Sequence, residues 1–321
     1  MEKSLRAFHY IRRSVAGEGM RILVTGGSGF IGSHTVNLAR SKLWDAQSLD
    51  LDAGSEIQVD IVDVDWTELE LSRFDAVIHL AARISVPESF EIPDEYFEVN
   101  VEATKRLFSA CVESGVPKVI FSSSAAVYGS SIEERKTVGQ ESPPESPYAQ
   151  TKLDGEKLAE SYAKSETAFT VFRFFNVFGP GQSADSPYAS VIPKFVDRMC
   201  RGEPVTIDGD GSQTRDFIHV SDVAKTMLSA AEQTDASPFD IVNLGTGSGI
   251  SILGFSNLLS LIVSEEGGPP ESTILHGSPR EGDIRHSVAD LSGLNLYAST
   301  HSFVPFEDGI RELVRGALNN N

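Results

Sequence analysis

Cysteine, tryptophan and positive charge are scarce in this 321-residue chain, and two of those shortages exclude something definite. Two cysteines, Cys111 and Cys200, are too few for a disulfide framework or a cysteine zinc site. Long apolar runs are also missing: no stretch reaches the roughly 18 residues that span a bilayer, and the first 19 residues lack the apolar core of a secretory signal. Lys and Arg number 27 against 46 Asp and Glu, a formal charge of −19. A field of that sign repels phosphate backbones, and no basic stripe offsets it, which argues against a nucleic-acid partner. Acidic residues run along the whole chain, as on a solvated surface, rather than forming a tail. With 40% hydrophobic residues the chain is too apolar to be disordered. A globular protein is left, expected in the cytoplasm with no metal and no membrane partner.

Over the first two-thirds, strand and helix patterns alternate. Apolar runs at 21–25, 46–50, 75–80, 118–123 and 169–175 predict strands, and 30–41, 99–114 and 148–164 predict helices between them. In 99–114, Val101, Leu107, Ala110 and Cys111 share one helical face. In 148–164, charged Lys152, Asp154, Glu156 and Lys157 interrupt a stripe of Leu153, Leu158 and Tyr162. The alternation implies βαβ units and an α/β, Rossmann-type, doubly wound parallel sheet. The last third is less regular, with helices expected near 192–202, 219–232, 252–264 and 306–318 and a strand at 240–244. Met20 directly precedes the first strand, so residues 1–19 read as a peripheral extension.

Three motifs carry chemistry. The first is Thr25-Gly-Gly-Ser-Gly-Phe-Ile-Gly32, between a strand and a helix. Lacking Cβ, Gly26, Gly29 and Gly32 let the backbone turn tightly and approach a pyrophosphate at the positive end of the helix. Asp50 closes the second strand 18 residues after Gly32. Its carboxylate can accept from both ribose hydroxyls and would repel a 2′-phosphate, which favours NAD over NADP; Asp52 competes for the role. The second motif is Tyr148 and Lys152, one helical turn apart and on one face. An ammonium there favours the phenolate, an oxidised nicotinamide would add further positive charge, and both should lower the tyrosine's pKa towards that of a general base. The third is Ser122-Ser-Ser124, at the carboxyl end of a strand, where open α/β sheets bind ligands.

With these motifs in order, the chain resembles the extended short-chain dehydrogenase/reductases, and among them the nucleotide-sugar 4-epimerases. Further matching stretches are Asp60-Ile61, His79-Leu-Ala-Ala82, Asn100-Val101, Arg173-Phe-Phe-Asn-Val-Phe-Gly-Pro180, Gly209-Asp-Gly-Ser-Gln-Thr-Arg-Asp-Phe217, Asn243-Leu-Gly-Thr-Gly247 and Arg280-Glu-Gly-Asp283. The resemblance implies that Ser124, Tyr148 and Lys152 are the catalytic triad. It implies that Phe30, Ile31, Asp60, Ile61, Leu80, Ala81, Ala82, Asn100 and Ser122 join the glycine loop around NAD. Asn176, Arg215 and Arg280 would take the diphosphate of a UDP-sugar, with Val191 and Asp283 beside the uridine. It implies an NAD-binding lobe of 20–175 and 216–248 and a smaller, discontinuous α/β sugar-binding lobe of 176–215 and 249–321. A homodimer through the helices at 99–114 and 148–164 is also implied.

One departure narrows the chemistry. Related 4,6-dehydratases carry an Asp-Glu pair just after the catalytic hydroxyl residue, and here those positions are Ala125 and Ala126. Without a carboxylate there, elimination of water has no acid–base partner. The reading is therefore inversion at C4 of a UDP-hexose through a 4-keto sugar. Ser287 stands where the resemblance places a gate beside the sugar, and its small size permits an N-acetyl group. Arg83 could instead pair with the carboxylate of a UDP-uronate. A one-way 4-ketoreductase and a non-catalytic NAD-binding module also stay open.

Overall fold

The computed structural model describes residues 19–184, 190–233, 237–270, 272–279, 284–298 and 302–320. Residues 1–18 of the expected extension lie outside them. The first half runs β1 (Arg21–Thr25), α1 (Phe30–Ser41), β2 (Asp45–Asp50), β3 (Ile57–Gln58), β4 (Ala76–His79), α2 (Val86–Glu91), α3 (Pro93–Phe97), α4 (Ala103–Glu113), β5 (Lys118–Ser124), β6 (Arg135–Lys136) and α5 (Pro147–Tyr162). Then follow β7 (Ala168–Phe174), β8 (Asn176–Phe178), α6 (Val191–Cys200), β9 (Val205–Asp208), β10 (Thr214–His219), α7 (Val220–Glu232), β11 (Phe239–Leu244) and β12 (Gly249–Ser251). The described chain closes with α8 (Ile252–Glu265), β13 (Ile274–Gly277), β14 (His286–Ala289), α9 (Asn295–Ala298) and α10 (Phe306–Asn320).

Strand β1 is apolar without alternation because both of its faces are covered: Ile22, Leu23 and Val24 are fully buried. It lies inside a seven-stranded sheet of order β11-β7-β5-β4-β1-β2-β3, in which every neighbouring pair is parallel. Parallel registry brings the carboxyl ends of β1, β4, β5 and β7 to one edge, with Thr25 opposite His79 and Ser124 opposite Phe174. One face packs under α1 and α7 around Val24, Ile78, Ile120 and Met227. The other packs under α4 and α5 around Val77, Leu107, Phe108 and Phe121.

The predicted helix 99–114 starts differently. Residues Glu98–Glu102 form a π-turn, and the α-helix proper begins at Ala103. The wide turn accommodates Asn100, whose carboxamide is tied across to other elements while Thr104 Oγ1 donates to its carbonyl at 2.7 Å.

A second sheet sits over the carboxyl edge of the first. Its order is β12-β10-β14-β6, with β8 beside β10, and among these pairs β10–β12 alone is antiparallel. Phe178, Phe195, Phe217 and Phe255 form its core with α6, α8 and α10. The buried Asp216 carboxylate ties this sheet to the large one, accepting from Thr246 N, Gly247 N and Ala289 N at 2.8–3.0 Å.

Candidate active site

Between the two sheets lies a cavity of about 830 Å³. One wall is the glycine loop. Gly26 has φ +69°, and a Cβ on Gly32 would sit 2.0 Å from the Gly26 carbonyl oxygen, so neither position accepts a side chain. Gly29 caps α1 without a side chain, and no acidic residue occupies the first turn. The first amides of α1 therefore face the cavity with a positive helix end, suited to a pyrophosphate.

Asp50 lines the same wall, and its carboxylate accepts from Ser28 N at 3.0 Å and Leu51 N at 2.7 Å. Asp52 accepts instead from Gly54 N in its own turn and does not line the cavity. Of the two acids, Asp50 is the one at the cavity wall. Asp60 and Ile61 line the cavity beyond it, and Leu80, Ala81 and Ala82 form its floor with Ser122. Glycine cradle, open helix end and acidic ribose position together fit an NAD molecule.

The wall opposite is β5 and α5. Ser146 caps α5 by accepting from Ala149 N at 3.1 Å, and Pro147 occupies its first turn. Tyr148, Lys152 and Glu156 then recur every fourth residue and all three are buried. Lys152 Nζ donates to the Ser122 carbonyl at 2.8 Å. Ser124 Oγ accepts from Ala126 N at 3.1 Å, which leaves its own proton to donate. The expected charged interruption of this helix is therefore half wrong. Asp154 and Lys157 pair with each other at 2.9 Å near the surface, whereas Lys152 and Glu156 belong to the buried face.

In the protein alone, burial sets the direction of both shifts. Burial pushes the Tyr148 phenol up from its ordinary value, opposed by the Ser124 side chain. Burial also pulls Lys152 down to about 8, with the Glu156 charge working the other way. Desolvation leads both shifts because both side chains are buried, with the Lys152 ammonium 5.3 Å from the centre of the Phe121 ring.

On the upper wall, Asn176 Nδ2 donates to the Asp216 carbonyl at 3.1 Å. Arg215 Nη1 donates to the carbonyls of Thr214 and Ile284 at 2.9 and 2.6 Å. Both side chains line the cavity, as does Ser287, which pairs with Arg215 in register and is 7% exposed. Arg83 lines it too, but its guanidinium meets Glu95 at 2.5 Å and Glu88 at 3.8 Å.

Two expected site residues are not brought there. Asn100 is buried behind the wall, where Nδ2 donates to Arg83 O and Thr151 Oγ1 and Oδ1 accepts from Arg83 N. Val191 opens α6 and packs on the core of the second sheet. Two more, Arg280 and Asp283, lie outside the described residues. Conversely, Gln182 lines the cavity with a buried Oε1 that has no hydrogen-bond partner among the described residues, and sequence reading passed over it. The Gly-Pro-Gly-Gln run after Asn176 was the available signal.

Comparison with known proteins agrees with this geometry. Residues 22–245 match the model of the NAD dependent epimerase/dehydratase family. The chain belongs to that family. Among its relatives is a putative UDP-glucose 4-epimerase of Methanocaldococcus jannaschii, 32% identical, covering 94% of this chain and 99% of that one. A solved UDP-N-acetylglucosamine 4-epimerase of Methanobrevibacter ruminantium, in complex with UDP-N-acetylmuramic acid, superposes with a TM-score of 0.86. It is 34% identical and covers 95% of this chain and 100% of its own. A mouse dTDP-D-glucose 4,6-dehydratase is nearly as similar, at 30% identity over 92% of this chain and 87% of its own. Overall identity does not separate the two reactions within this family, so the distinction rests on the site residues.

Proposed function

We propose that this protein is an NAD-dependent 4-epimerase of UDP-hexoses, a reading carried by the convergence of Ser124, Tyr148 and Lys152 beside the glycine cradle, with alanines at 125 and 126. NAD supplies a hydride acceptor that gives the hydride back. Tyr148 takes the proton of the sugar's C4 hydroxyl, and Ser124, whose oxygen is held by Ala126 N, donates to the oxygen that becomes the ketone. Lys152, held by the Ser122 carbonyl, supplies the positive charge beside the phenol. The phenol's raised pKa in the protein alone is consistent with a base that becomes effective only beside the positive ring of the oxidised cofactor.

Asn176 and Arg215 are proposed to hold the diphosphate, Arg215 by the planar donor geometry that suits phosphate oxygens. The sugar is then tethered only through its nucleotide and can turn over before the hydride returns. The small Ser287 beside Arg215 supports acceptance of N-acetylated as well as plain hexoses. Arg83, already met by Glu95 and Glu88, speaks against a uronate substrate. Ala125 and Ala126 speak against dehydration.

We further read the protein as a cytoplasmic homodimer: Phe90 and Phe97 are 60% and 47% exposed on the segment that packs against α5, beside the helices expected to pair. The test is incubation of purified protein with UDP-glucose, UDP-N-acetylglucosamine and UDP-glucuronate, with no cofactor added. Conversion of the first or second to its C4 epimer is expected; no epimer from any of the three overturns the reading.

A further inference from the structure

Three consecutive serines of β5 are gripped by three successive turns of α5, and two of the gripping residues are the proposed catalytic ones. Tyr148 lies by Ser124, and Lys152 Nζ donates to the Ser122 carbonyl. Between these, Ser123 Oγ donates to Glu156 Oε1 at 2.5 Å. Glu156 is 3% exposed and faces the 2%-exposed Arg173 of β7, which donates through Nε to Oε1 at 2.9 Å and through Nη2 to Oε2 at 2.7 Å. This is a bidentate, dry ion pair with each carboxylate oxygen satisfied. The remaining Nη1 of Arg173 meets Glu141, and its guanidinium lies 4.9 Å above the Tyr128 ring.

The residues in and around this cluster carry two charges of each sign. Lys152 and Arg173 are cations, and Glu156 and Glu141 are the carboxylates opposite them. Buried His79, whose two ring nitrogens engage Thr25 and Thr104, is held down to about 3 and is neutral. Tyr128 donates to Asn243 and is pushed up by burial. Glu141 is spent on Arg173, so Glu156, one helical turn from Lys152, is the carboxylate placed to compensate the buried ammonium. An uncompensated ammonium at full burial gives up its proton near neutrality.

We propose that Glu156 is a positioning residue of the reaction: locked by Arg173 and Ser123, its carboxylate is the counter-charge that keeps Lys152 an ammonium inside the site. The proposal rests on the catalytic reading of Tyr148 and Lys152. It also explains the double anchoring of Glu156, since a counter-charge that could swing to solvent would leave Lys152 neutral. Activity requires a protonated Lys152, so it is lost as pH rises through that group's titration, which in the native protein lies at about 8.

The experiment compares native protein with Glu156→Gln by the pH profile of kcat and by ¹⁵N NMR titration of the Lys152 side chain. Loss of a close opposite charge should move the alkaline limb and the Lys152 titration down together by about one pH unit or more. KM for the UDP-sugar should change little, and Glu156→Asp should restore the limb while kcat stays reduced. If Glu156→Gln does not fold because Arg173 is stranded, Glu156→Gln with Arg173→Met removes the pair as a unit, and a smaller downward displacement is expected, because a more distant cation leaves with the carboxylate. A Lys152 titration that stays at the native position in the folded variant overturns the proposal, as does an Asp variant shifted as far as Gln. A shifted titration in a protein that epimerises no UDP-sugar would sustain the counter-charge and sink the catalytic reading instead.

Discussion

The two walls of the cavity are built from different material. The lower side, with the glycine loop and the β5–α5 wall facing it, stands on β1, β4 and β5, four to seven residues each, fully paired inside a parallel sheet and buried on both faces. Its groups are over-determined: Ser123, Glu156 and Arg173 hold one another, and the Ser122 carbonyl holds Lys152. The substrate wall stands on β8, β10 and β14, strands of three to six residues in a mixed sheet, with Asn176 and Arg215 only part-buried. The difference teaches where each wall spends its rigidity. Hydride and proton transfer need fixed atoms, whereas a sugar that must present both faces needs a tether and room.

That contrast can be broken, beginning on the rigid side. Tyr148→Phe removes the base without disturbing its packing, and kcat should fall about 10²–10⁴-fold with NAD still bound; near-native turnover would leave the triad without its central member. Gly32→Ala places a methyl group where the Gly26 carbonyl oxygen already sits. It should cost about 1–3 kcal/mol of stability and strip NAD from the purified protein, read by thermal melt and cofactor content. A variant melting like the native protein with cofactor in place would mean that the loop is softer than argued.

On the roomy side, Ser287→Tyr should leave NAD content and melting unchanged and shift substrate choice alone. Turnover of UDP-N-acetylglucosamine should drop about tenfold or more relative to UDP-glucose; an equal drop for both sugars would show a wall as intolerant as the other.

The smallest effect lies at the far end of β5. Lys118 is 3% exposed, and its ammonium has no hydrogen-bond partner among the described residues, in contrast to Lys152. Burial lowers it to about 8, with Asp240 opposing. The unfolded chain therefore binds more protons between pH 8 and about 10.5, and this group's contribution to stability rises with pH across that window. Lys118→Met should raise the melting temperature at pH 7 by about 2–4 °C for each kcal/mol gained, flatten the slope above pH 8, and leave kcat alone. A lower Tm would show that Lys118 is compensated after all.

Reading from residues alone reached the first wall more fully than the second. Short runs rich in Val, Ile, Leu and Phe report local burial, so all five strands predicted in the first two-thirds and the fold class were legible. The short strands β3, β6, β9, β12 and β14 carry no such periodicity, because two to four residues are defined by their partners rather than by their own pattern. Asp216 lay inside a matched stretch without a role, and Gln182 was passed over, for a related reason: their meaning lies in backbone groups 30 or more residues away, or in a cavity no local pattern reports.

By itself the sequence determined the glycine cradle and the Tyr148–Lys152 spacing, because each follows from steric demand or helical geometry within a few residues, while it left Asp50 and Asp52 as rivals that only the cavity wall separates. Which charges of α5 turn inward was decided only by tertiary structure. Glu156 reads like any surface glutamate until β7 presents Arg173 to it. The state of the Tyr148 phenol was decided there as well, since desolvation depends on everything packed around a group and not on its neighbours in the chain.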